Sequence, residues 1–290
     1  MSMPKKYKTK PRIMKCGSFS VELGRQTLIM GILNVTPDSF SDGGKFYCPE
    51  TALKQAGQLI NEGADILDIG AESTRPGHKE ISVEEEWARL EPILKELVKS
   101  SPIPISLDTQ KAAIAEKALN LGVHFINDIW GLQKDEMMAS TVGSYQVPVV
   151  IMHNKHNTDY HDLMGEILRF LAKSIELAIA GGVNEDQIII DPGIGFGKTT
   201  AQNIEVIQRL DELSSLGFPV LLGVSRKSVI GKTLNLPVED RLEPTIALGT
   251  LGIAAGVDIL RVHDVRASKN AALMADHIVR RTMGSNYENQ

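Results

Sequence analysis

The chain has few cysteines, no long apolar run and no excess of positive charge. Its 290 residues include two cysteines, Cys16 and Cys48, in no CxxC or zinc-binding pattern, which fits a reducing, cytoplasmic setting. No stretch reaches the roughly 18 apolar residues of a membrane span. Acidic residues (36) outnumber basic ones (31), so neither nucleic acid nor a membrane surface is an expected partner. A composition of 42% hydrophobic and 23% charged residues excludes bulk disorder.

Short apolar runs rich in Ile, Val and Leu recur along the chain and predict strands buried on both faces of a parallel sheet. There are eight, at residues 27–33, 64–69, 103–107, 123–126, 147–152, 187–190, 219–224 and 258–262. Apolar residues at helical spacing lie between them. Helices are predicted at 52–61, 83–97, 110–120, 164–179, 201–213, 242–255 and 267–281.

Eight strand–helix units of about 30 residues fit either a closed (β/α)8 barrel or an open, doubly wound sheet. A doubly wound dinucleotide-binding domain requires GxGxxG after an early strand. The first strand is followed by NVTPD instead, so we predict a TIM barrel folded as one domain over residues 1–290. Residues 1–11 are interpreted as a basic tail. Residues 12–26 predict a hairpin that closes the barrel floor.

Nearly every predicted strand ends in a polar or ionisable residue. In such a barrel, catalytic groups project from the carboxyl ends of the strands. These residues are Asn34, Asp68, Glu72, Asp108, Asn127, Asp128, His153, Asp191, Arg226, Lys227, Arg261 and His263. Asp and Asn are also favoured helix N-caps, and a lone histidine such as His153 is more often structural. Lys227, Arg261 and His263 are poor N-caps, so the full ring favours an active site.

Three loops add to this prediction. The loops at 34–44 and 72–77 are polar, contain glycine and are longer than a barrel needs, which is typical of lids. The run DPGIGFGKT at 191–199 is similar to a phosphate-binding loop, but Pro192 stands where that motif requires glycine. Its glycines instead indicate close approach of the backbone to a flat ligand, with Phe196 packed against it.

Arg261 and His263 are two residues apart on a strand, so their side chains share one face. A pair of cations there, opposite Asn34, indicates an anion site. The alternative is an internal salt bridge from this pair to Asp191 or Asp264. The residues alone leave both interpretations open.

Seven motifs occur in one order and spacing along almost the whole chain. They are MGILNVTPDSFSDGG (30–44), DIGAESTRPG (68–77), SLDT (106–109), INDI (126–129), DPGIGFGK (191–198), GVSRKS (223–228) and RVHDV (261–265). Together they closely resemble the dihydropteroate synthase family of bacterial folate synthesis. The resemblance implies a pterin-binding TIM barrel and a transferase that joins 6-hydroxymethyl-7,8-dihydropterin diphosphate to p-aminobenzoate, releasing pyrophosphate with Mg²⁺. It also implies a homodimer and a sulfonamide target.

The resemblance also implies roles for individual residues. The pterin would meet Asp108, Asn127, Asp191 and Lys227. The diphosphate and metal positions match Thr74, Arg261, His263 and Asn34, with Asn34 as the metal ligand, Asp42 joining once its loop closes, and Arg75 as a further substrate contact. The p-aminobenzoate pocket matches Phe40, Pro76, Phe196, Lys227 and Ser228. Catalytic roles fall to Asn34, Asp42, Lys227, Arg261 and His263.

The chemistry of these residues agrees with the implied roles. A carboxylate can pair with an aminopyrimidine edge through two hydrogen bonds, and Lys227 can donate to the carbonyl side. Mg²⁺ prefers oxygen ligands, such as an Asn oxygen and diphosphate oxygens. Diphosphate can leave before the amine attacks, with Mg²⁺, Arg261 and His263 stabilising the anion and Asp108 and Asp191 the cationic ring.

Two other functions share parts of this pattern. A methyltetrahydrofolate:corrinoid methyltransferase has the barrel and the carboxylates at the pterin edge, but it binds no diphosphate and would not need Arg261 and His263. A catalytically silent pterin-binding homologue would be favoured by the loss of Asn34, Lys227 or Arg261. All three residues are present.

Overall fold

The computed structural model of the chain describes residues 11–36, 49–72 and 80–280, and it confirms the predicted barrel. The strands are β1 (Arg12–Cys16), β2 (Phe19–Leu23), β3 (Leu28–Asn34), β4 (Ile66–Gly70), β5 (Ile105–Asp108), β6 (Phe125–Asp128), β7 (Val149–Met152), β8 (Ile188–Asp191), β9 (Leu221–Leu222) and β10 (Ile259–Val262). The last eight form one parallel sheet in the order β8-β7-β6-β5-β4-β3-β10-β9. A bridge between Ile190 and Val220 joins its two edges. The sheet is therefore closed, and the open, doubly wound alternative is excluded.

Helices surround the barrel. They are α1 (Pro49–Asn61), α2 (Val83–Ser100), α3 (Ala112–Leu121), α4 (Met138–Tyr145), α5 (Leu163–Ala180), α6 (Thr200–Gln208), α7 (Ser228–Leu234), α8 (Leu242–Ala254) and α9 (Val265–Val279). Every residue of β4 and β8 is buried, because the barrel interior covers one face of each strand and the helices cover the other. The continuous apolar runs in the sequence reflect this double burial.

The structure differs from the predicted helices in two ways. The helix predicted at 201–213 ends at Gln208, and a 3₁₀ segment, Leu210–Leu216, follows it. Two helices were not predicted, α4 with the sequence MASTVGSY and α7 with the sequence SVIGKTL. Both are short and contain glycine, Ser and Thr, so neither has a strong apolar period.

The predicted hairpin is confirmed as β1 and β2, which pair antiparallel. Its inward side chains are Met14, Cys16, Val21 and Leu23, all buried. They form one apolar cluster with side chains from the first residues of the barrel strands, including Leu28, Ile66, Phe125, Leu221 and Ile259. The hairpin thus covers the amino-terminal end of the barrel and leaves the carboxyl ends of the strands as its open mouth.

Among the described helices, none combines the length and the apolar character that crossing a membrane requires.

Candidate active site

The mouth of the barrel collects the polar residues that end the strands. Asp108 and Asn127 end adjacent strands, β5 and β6, and are neighbours in the pairing register. Asp191 ends β8, and Arg261 lies in β10. Asp108 and Asn127, from neighbouring strands, therefore meet at one end of the sheet, as the sequence predicts.

Arg261 forms two internal ion pairs. Its Nε donates to Asp68 Oδ2 at 2.6 Å and its Nη2 to Asp108 Oδ2 at 2.7 Å. An internal salt bridge therefore exists, but the partners named from the sequence, Asp191 and Asp264, were wrong. The partners differ because the side chains of Asp68 and Asp108 converge on Arg261 across the barrel interior.

Asp264 instead pairs with Arg226 through two bonds of 2.6 and 2.8 Å. Asp264 follows β10, outside the barrel interior in which Arg261 pairs with Asp68 and Asp108. The Asp264 carboxylate is therefore bound by Arg226 at the rim, while Arg261 is bound by Asp68 and Asp108 in the interior.

Asp68 was placed among the strand-end residues in the sequence analysis but was given no role there. It is fully buried, and its Oδ2 accepts from both Arg261 Nε and Asn127 Nδ2, the latter at 3.1 Å. Its Oδ1 is buried and has no hydrogen-bond partner among the described residues. Asp68 lies in the DIGAESTRPG motif, on the strand that precedes the predicted loop at 72–77. That position could have indicated a role at the site. Asp68 thus joins Asn127, Arg261 and Asp108 into one connected network.

Several side-chain atoms of these residues retain hydrogen-bonding capacity. Within the described part of the chain, Arg261 Nη1 and Asp108 Oδ1 form no hydrogen bond or ion pair. Asp191 Oδ1 accepts from the backbone N–H of Gly193 at 2.7 Å, which leaves Oδ2 as its second acceptor. Of these residues in the described part of the chain, Asp68 alone has a side-chain oxygen, Oδ1, that is both buried and without a partner, and such buried polar atoms are normally satisfied. A ligand with several N–H donors would satisfy them.

Burial shifts the pKa values of the acids and the base toward each other. It raises the pKa of Asp108, an effect that the Arg261 guanidinium opposes. It also raises the pKa of Asp191, opposed by Lys227. Burial lowers the pKa of Lys227 to about 8, opposed by the Asp191 carboxylate. Such perturbed groups gathered in one concave mouth are typical of a functional site.

The 191–198 loop, which follows β8, holds Lys227 in place. Lys227 Nζ donates to the Ile194 carbonyl and lies 4.6 Å from the centre of the Phe196 ring. Lys227 and Phe196 thus form a cation–π pair, and the packing of Phe196 against a flat ligand stays a prediction. Phe196 and Lys227 are both only partly buried, so they face the mouth together.

Glycine is required in this loop where the backbone approaches β7. Gly193 has φ +70°, and a Cβ there would lie 1.9 Å from the His153 carbonyl oxygen. The sequence predicted close backbone approach to a ligand. At Gly193 the close approach is to the backbone of His153, directly after β7, and the approach to a ligand stays a prediction.

His153, which directly follows β7, is buried. Its Nδ1 lies 2.8 Å from Lys198 Nζ. Burial, together with the nearby Lys198 charge, lowers the pKa of His153 to about 3. His153 is therefore neutral at physiological pH.

The remaining predicted site residues lie at the rim or outside the described residues. Asn34 ends β3 and is partly buried, His263 follows β10 with Nδ1 2.9 Å from Ser225 Oγ, and Ser228 begins α7 and is exposed. The predicted positions that fall outside the described residues are Phe40, Asp42, Thr74, Arg75 and Pro76.

The donor set constrains any metal site. In residues 11–36, 49–72 and 80–280, no group of three or more His, Cys, Asp or Glu side chains is arranged to hold a metal ion. Mg²⁺ commonly keeps several waters and uses one or two protein oxygens together with substrate phosphates. A single amide oxygen from Asn34 fits that type of binding and does not fit a metal held by protein ligands alone.

The chain matches the family described as pterin binding enzyme over residues 30–263. It is 51% identical over 269 residues to dihydropteroate synthase of Clostridium beijerinckii, covering 92% of this chain and 100% of that relative. A crystal structure of dihydropteroate synthase from Clostridium difficile with pteroic acid has 54% identity and a TM-score of 0.87, covering 89% of this chain and 99% of that chain. The Xanthomonas albilineans enzyme with 4-aminobenzoic acid has 38% identity and a TM-score of 0.88, covering 93% and 98%.

Proposed function

The chain belongs to the pterin-binding enzyme family, and within it to the dihydropteroate synthases, which are transferases; we propose that it condenses a dihydropterin diphosphate with p-aminobenzoate. In that reaction the C–O bond between the pterin methylene and the diphosphate breaks. A C–N bond to the arylamine forms, and the nitrogen gives up one proton. The products are 7,8-dihydropteroate and pyrophosphate.

The main support for this proposal is the hydrogen-bonded network that Arg261 forms with Asp68, Asp108 and Asn127. A pterin presents an aminopyrimidine edge with adjacent N–H donors, and Asp191 Oδ2, Asp108 Oδ1 and the buried Asp68 Oδ1 are acceptors with capacity for them. Lys227 supplies a donor for the carbonyl side of the ring. We therefore assign the pterin to Asp108, Asn127, Asp191 and Lys227, and add Asp68 to that set.

The second substrate is proposed to bind over the Phe196 and Lys227 pair. An aromatic ring can pack on Phe196, and the p-aminobenzoate carboxylate can pair with Lys227 or accept from Ser228 at the start of α7. The proposed contacts to Phe40 and Pro76 belong to the segments outside the described residues. The Xanthomonas albilineans enzyme binds 4-aminobenzoic acid, which supports the substrate class.

The diphosphate is proposed to lie between Asn34 and His263, at the carboxyl ends of the neighbouring strands β3 and β10. Arg261 Nη1, which has no bond partner in the described residues, is the donor that reaches it from the network. Thr74, Arg75 and Asp42 remain proposed partners. Bound Mg²⁺ would neutralise charge on the leaving diphosphate, and Asn34 is the residue proposed to hold it.

We propose that diphosphate departure precedes attack by the amine. The methylene cation shares its charge with the pterin ring, so the carboxylates of Asp108 and Asp191 stabilise it electrostatically. Arg261 and His263 stabilise the leaving anion. This division needs no nucleophilic side chain, because binding, orientation and charge stabilisation account for the chemistry.

The test is a coupled assay for pyrophosphate with both substrates and Mg²⁺. We expect release that requires the pterin diphosphate, p-aminobenzoate and the metal together. Release at an unchanged rate without p-aminobenzoate would indicate a diphosphatase and would contradict the proposal.

Replacing Asn34 by alanine should reduce turnover by about 10²–10³, which is typical when one transition-state electrostatic contact is removed. The Mg²⁺ concentration for half-maximal rate should rise in the same variant. An Mg²⁺ titration of the steady-state rate measures both. Unchanged turnover with an unchanged Mg²⁺ titration would remove Asn34 from the mechanism.

We also propose a cytoplasmic homodimer. An apolar groove of about 480 Å³ lies between α6, α7 and α8. Its lining includes Ile204, Ile207, Val229, Leu234 and Leu248, and Leu234 is 53% exposed. A second copy covering this groove would bury these side chains. Light scattering should give twice the 31.7 kDa of one chain, and Leu234→Glu should give the monomer mass. A wild-type mass of one chain would contradict the dimer.

A further inference from the structure

We propose that Lys198, held by His153 and by two carbonyls of its own loop, is a positioning residue that sets the location of Lys227 in the pterin site. The inference deepens the proposed function, since the role of Lys227 there rests on it. Lys198 itself contacts neither of the proposed substrate positions. It acts through the backbone of the 191–198 loop.

The Lys198 ammonium is held by three neutral acceptors. Nζ lies 2.8 Å from His153 Nδ1, 2.9 Å from the Gly193 carbonyl and 3.1 Å from the Phe196 carbonyl. The residue is 8% exposed, and none of these three partners is a carboxylate. An ammonium has three N–H donors, so these three hydrogen bonds use all of them.

His153 is suited to this contact because it stays neutral. It is 2% exposed, and its ring packs edge-on to Phe170, with ring centres 4.9 Å apart. Since Nδ1 faces an ammonium, Nδ1 is the acceptor and the ring proton is on Nε2. His153 directly follows β7, and its backbone N–H donates to the Asp191 carbonyl at 2.9 Å, so Lys198 connects the loop to a residue anchored at the end of the barrel strands.

Lys198 acts on Lys227 through two backbone carbonyls of the loop. Lys198 binds the carbonyls of Gly193 and Phe196, which flank Ile194 and Gly195 in the turn. Ile194 supplies the carbonyl that Lys227 Nζ binds, and Phe196 supplies the ring 4.6 Å from the same ammonium. Fixing the two flanking carbonyls therefore fixes both partners of Lys227.

Two charged side chains, Asp191 and Lys227, influence the pKa of Lys198. Asp191 raises the pKa of Lys198, whereas burial, the largest effect, and the Lys227 ammonium lower it, to about 7. The Asp191 carboxylate thus raises the pKa of both lysines, Lys198 and Lys227. Burying a lysine without a carboxylate partner costs free energy, and the three hydrogen bonds that offset this cost all lie between Lys198 and the 191–198 loop or His153.

Three variants test the proposal. Lys198→Met removes all three donors while keeping a similar length. His153→Leu removes the acceptor and keeps an apolar side chain, and His153→Asn restores an acceptor at the δ position. Lys269→Met is the matched control, because Lys269 is a partly buried lysine paired with Asp65 at 2.7 Å on the outside of the barrel, away from the mouth.

We expect Lys198→Met and His153→Leu to raise the KM for the pterin diphosphate about tenfold. His153→Asn should restore it to within threefold of wild type, and Lys269→Met should leave it unchanged while lowering Tm. Crystal structures of the two His153 variants should show Lys227 Nζ displaced from the Ile194 carbonyl with leucine and still bonded to it with asparagine. These structures decide the positioning role even if the wild type releases no pyrophosphate, which would defeat only the proposed function.

A merely structural role would overturn the proposal. Its signature is a lower Tm in Lys198→Met and His153→Leu, a KM within twofold of the control, and an intact hydrogen bond from Lys227 to Ile194. If Lys198→Met does not fold, the two His153 variants give the same decision.

Discussion

Replacing Arg261 by methionine is expected to lower the free energy of unfolding by about 3–5 kcal/mol at neutral pH, as removal of one partner of a buried ion pair does. The decrease should be large because two carboxylates, Asp68 and Asp108, bind the guanidinium at 2.6 and 2.7 Å. Asp68 is fully buried and would be left without its charged partner. Turnover should also fall by about 10² or more, since Arg261 is proposed to stabilise the leaving diphosphate.

The stability deficit of Arg261→Met should depend on pH with a definite sign. Burial raises the pKa of Asp108 from its ordinary value of 3.8, and Arg261 opposes that rise. Without Arg261 the pKa of Asp108 rises further. A buried acid with a raised pKa stabilises the folded state below its unfolded pKa, and this stability is lost as pH rises through the folded pKa. The deficit should therefore grow between pH 5 and pH 8.

Urea unfolding at the two pH values measures this deficit, with Arg226→Met as the control. Arg226 also forms a two-bond pair, with Asp264 at 2.6 and 2.8 Å, but both side chains are partly exposed. Partly exposed pairs contribute about 0–1 kcal/mol, so the control should lose little stability at either pH. Equal decreases in the two variants would show that the interior network has no special contribution.

Replacing Asp191 by asparagine is expected to weaken binding of a pterin that lacks diphosphate by about 100-fold, or roughly 3 kcal/mol. The amide oxygen can still accept from Gly193 N–H, as Oδ1 now does at 2.7 Å, so the loop should keep its shape. The second acceptor becomes an N–H₂ donor, which opposes the N–H groups of the pterin edge.

Calorimetric titration measures the change, and Asp135→Asn is its control. Asp135 also accepts from backbone N–H groups, those of Ala112 and Met137 at 2.8 and 3.0 Å, but at the starts of α3 and α4. That variant should bind the pterin as wild type does. A change of less than threefold in Asp191→Asn would exclude Asp191 from pterin recognition.

The strands could be predicted from the sequence because the barrel buries them on both faces. A segment such as β8, in which every residue is buried, is then continuously apolar in the sequence. Short helices such as α4 could not be predicted in this way. In α4 the residues Ser, Thr and Gly have weak helical preference, and packing against neighbours stabilises the helix.

The residues that lie together at the barrel mouth could be predicted, but not all of their partners. Motif and strand-end position identify Asp108, Asn127, Asp191, Lys227 and Arg261, whereas ion-pair partners depend on how side chains from different strands meet inside the barrel. Arg261 and Asp68 are 193 residues apart in the chain, and no local pattern joins them. The same holds for His153 and Lys198, whose hydrogen bond forms only when the 191–198 loop folds back onto β7.

We propose that the mouth of this barrel is where the pterin methylene becomes bonded to the amine of p-aminobenzoate. Mass spectrometry of the product made from ¹⁵N-amine-labelled p-aminobenzoate tests it most directly, with pyrophosphate counted in the same sample. We predict 7,8-dihydropteroate that retains the ¹⁵N at its bridging nitrogen, and one pyrophosphate for each molecule of product. Pyrophosphate released together with the hydroxymethyl pterin, and without labelled dihydropteroate, would contradict the claim.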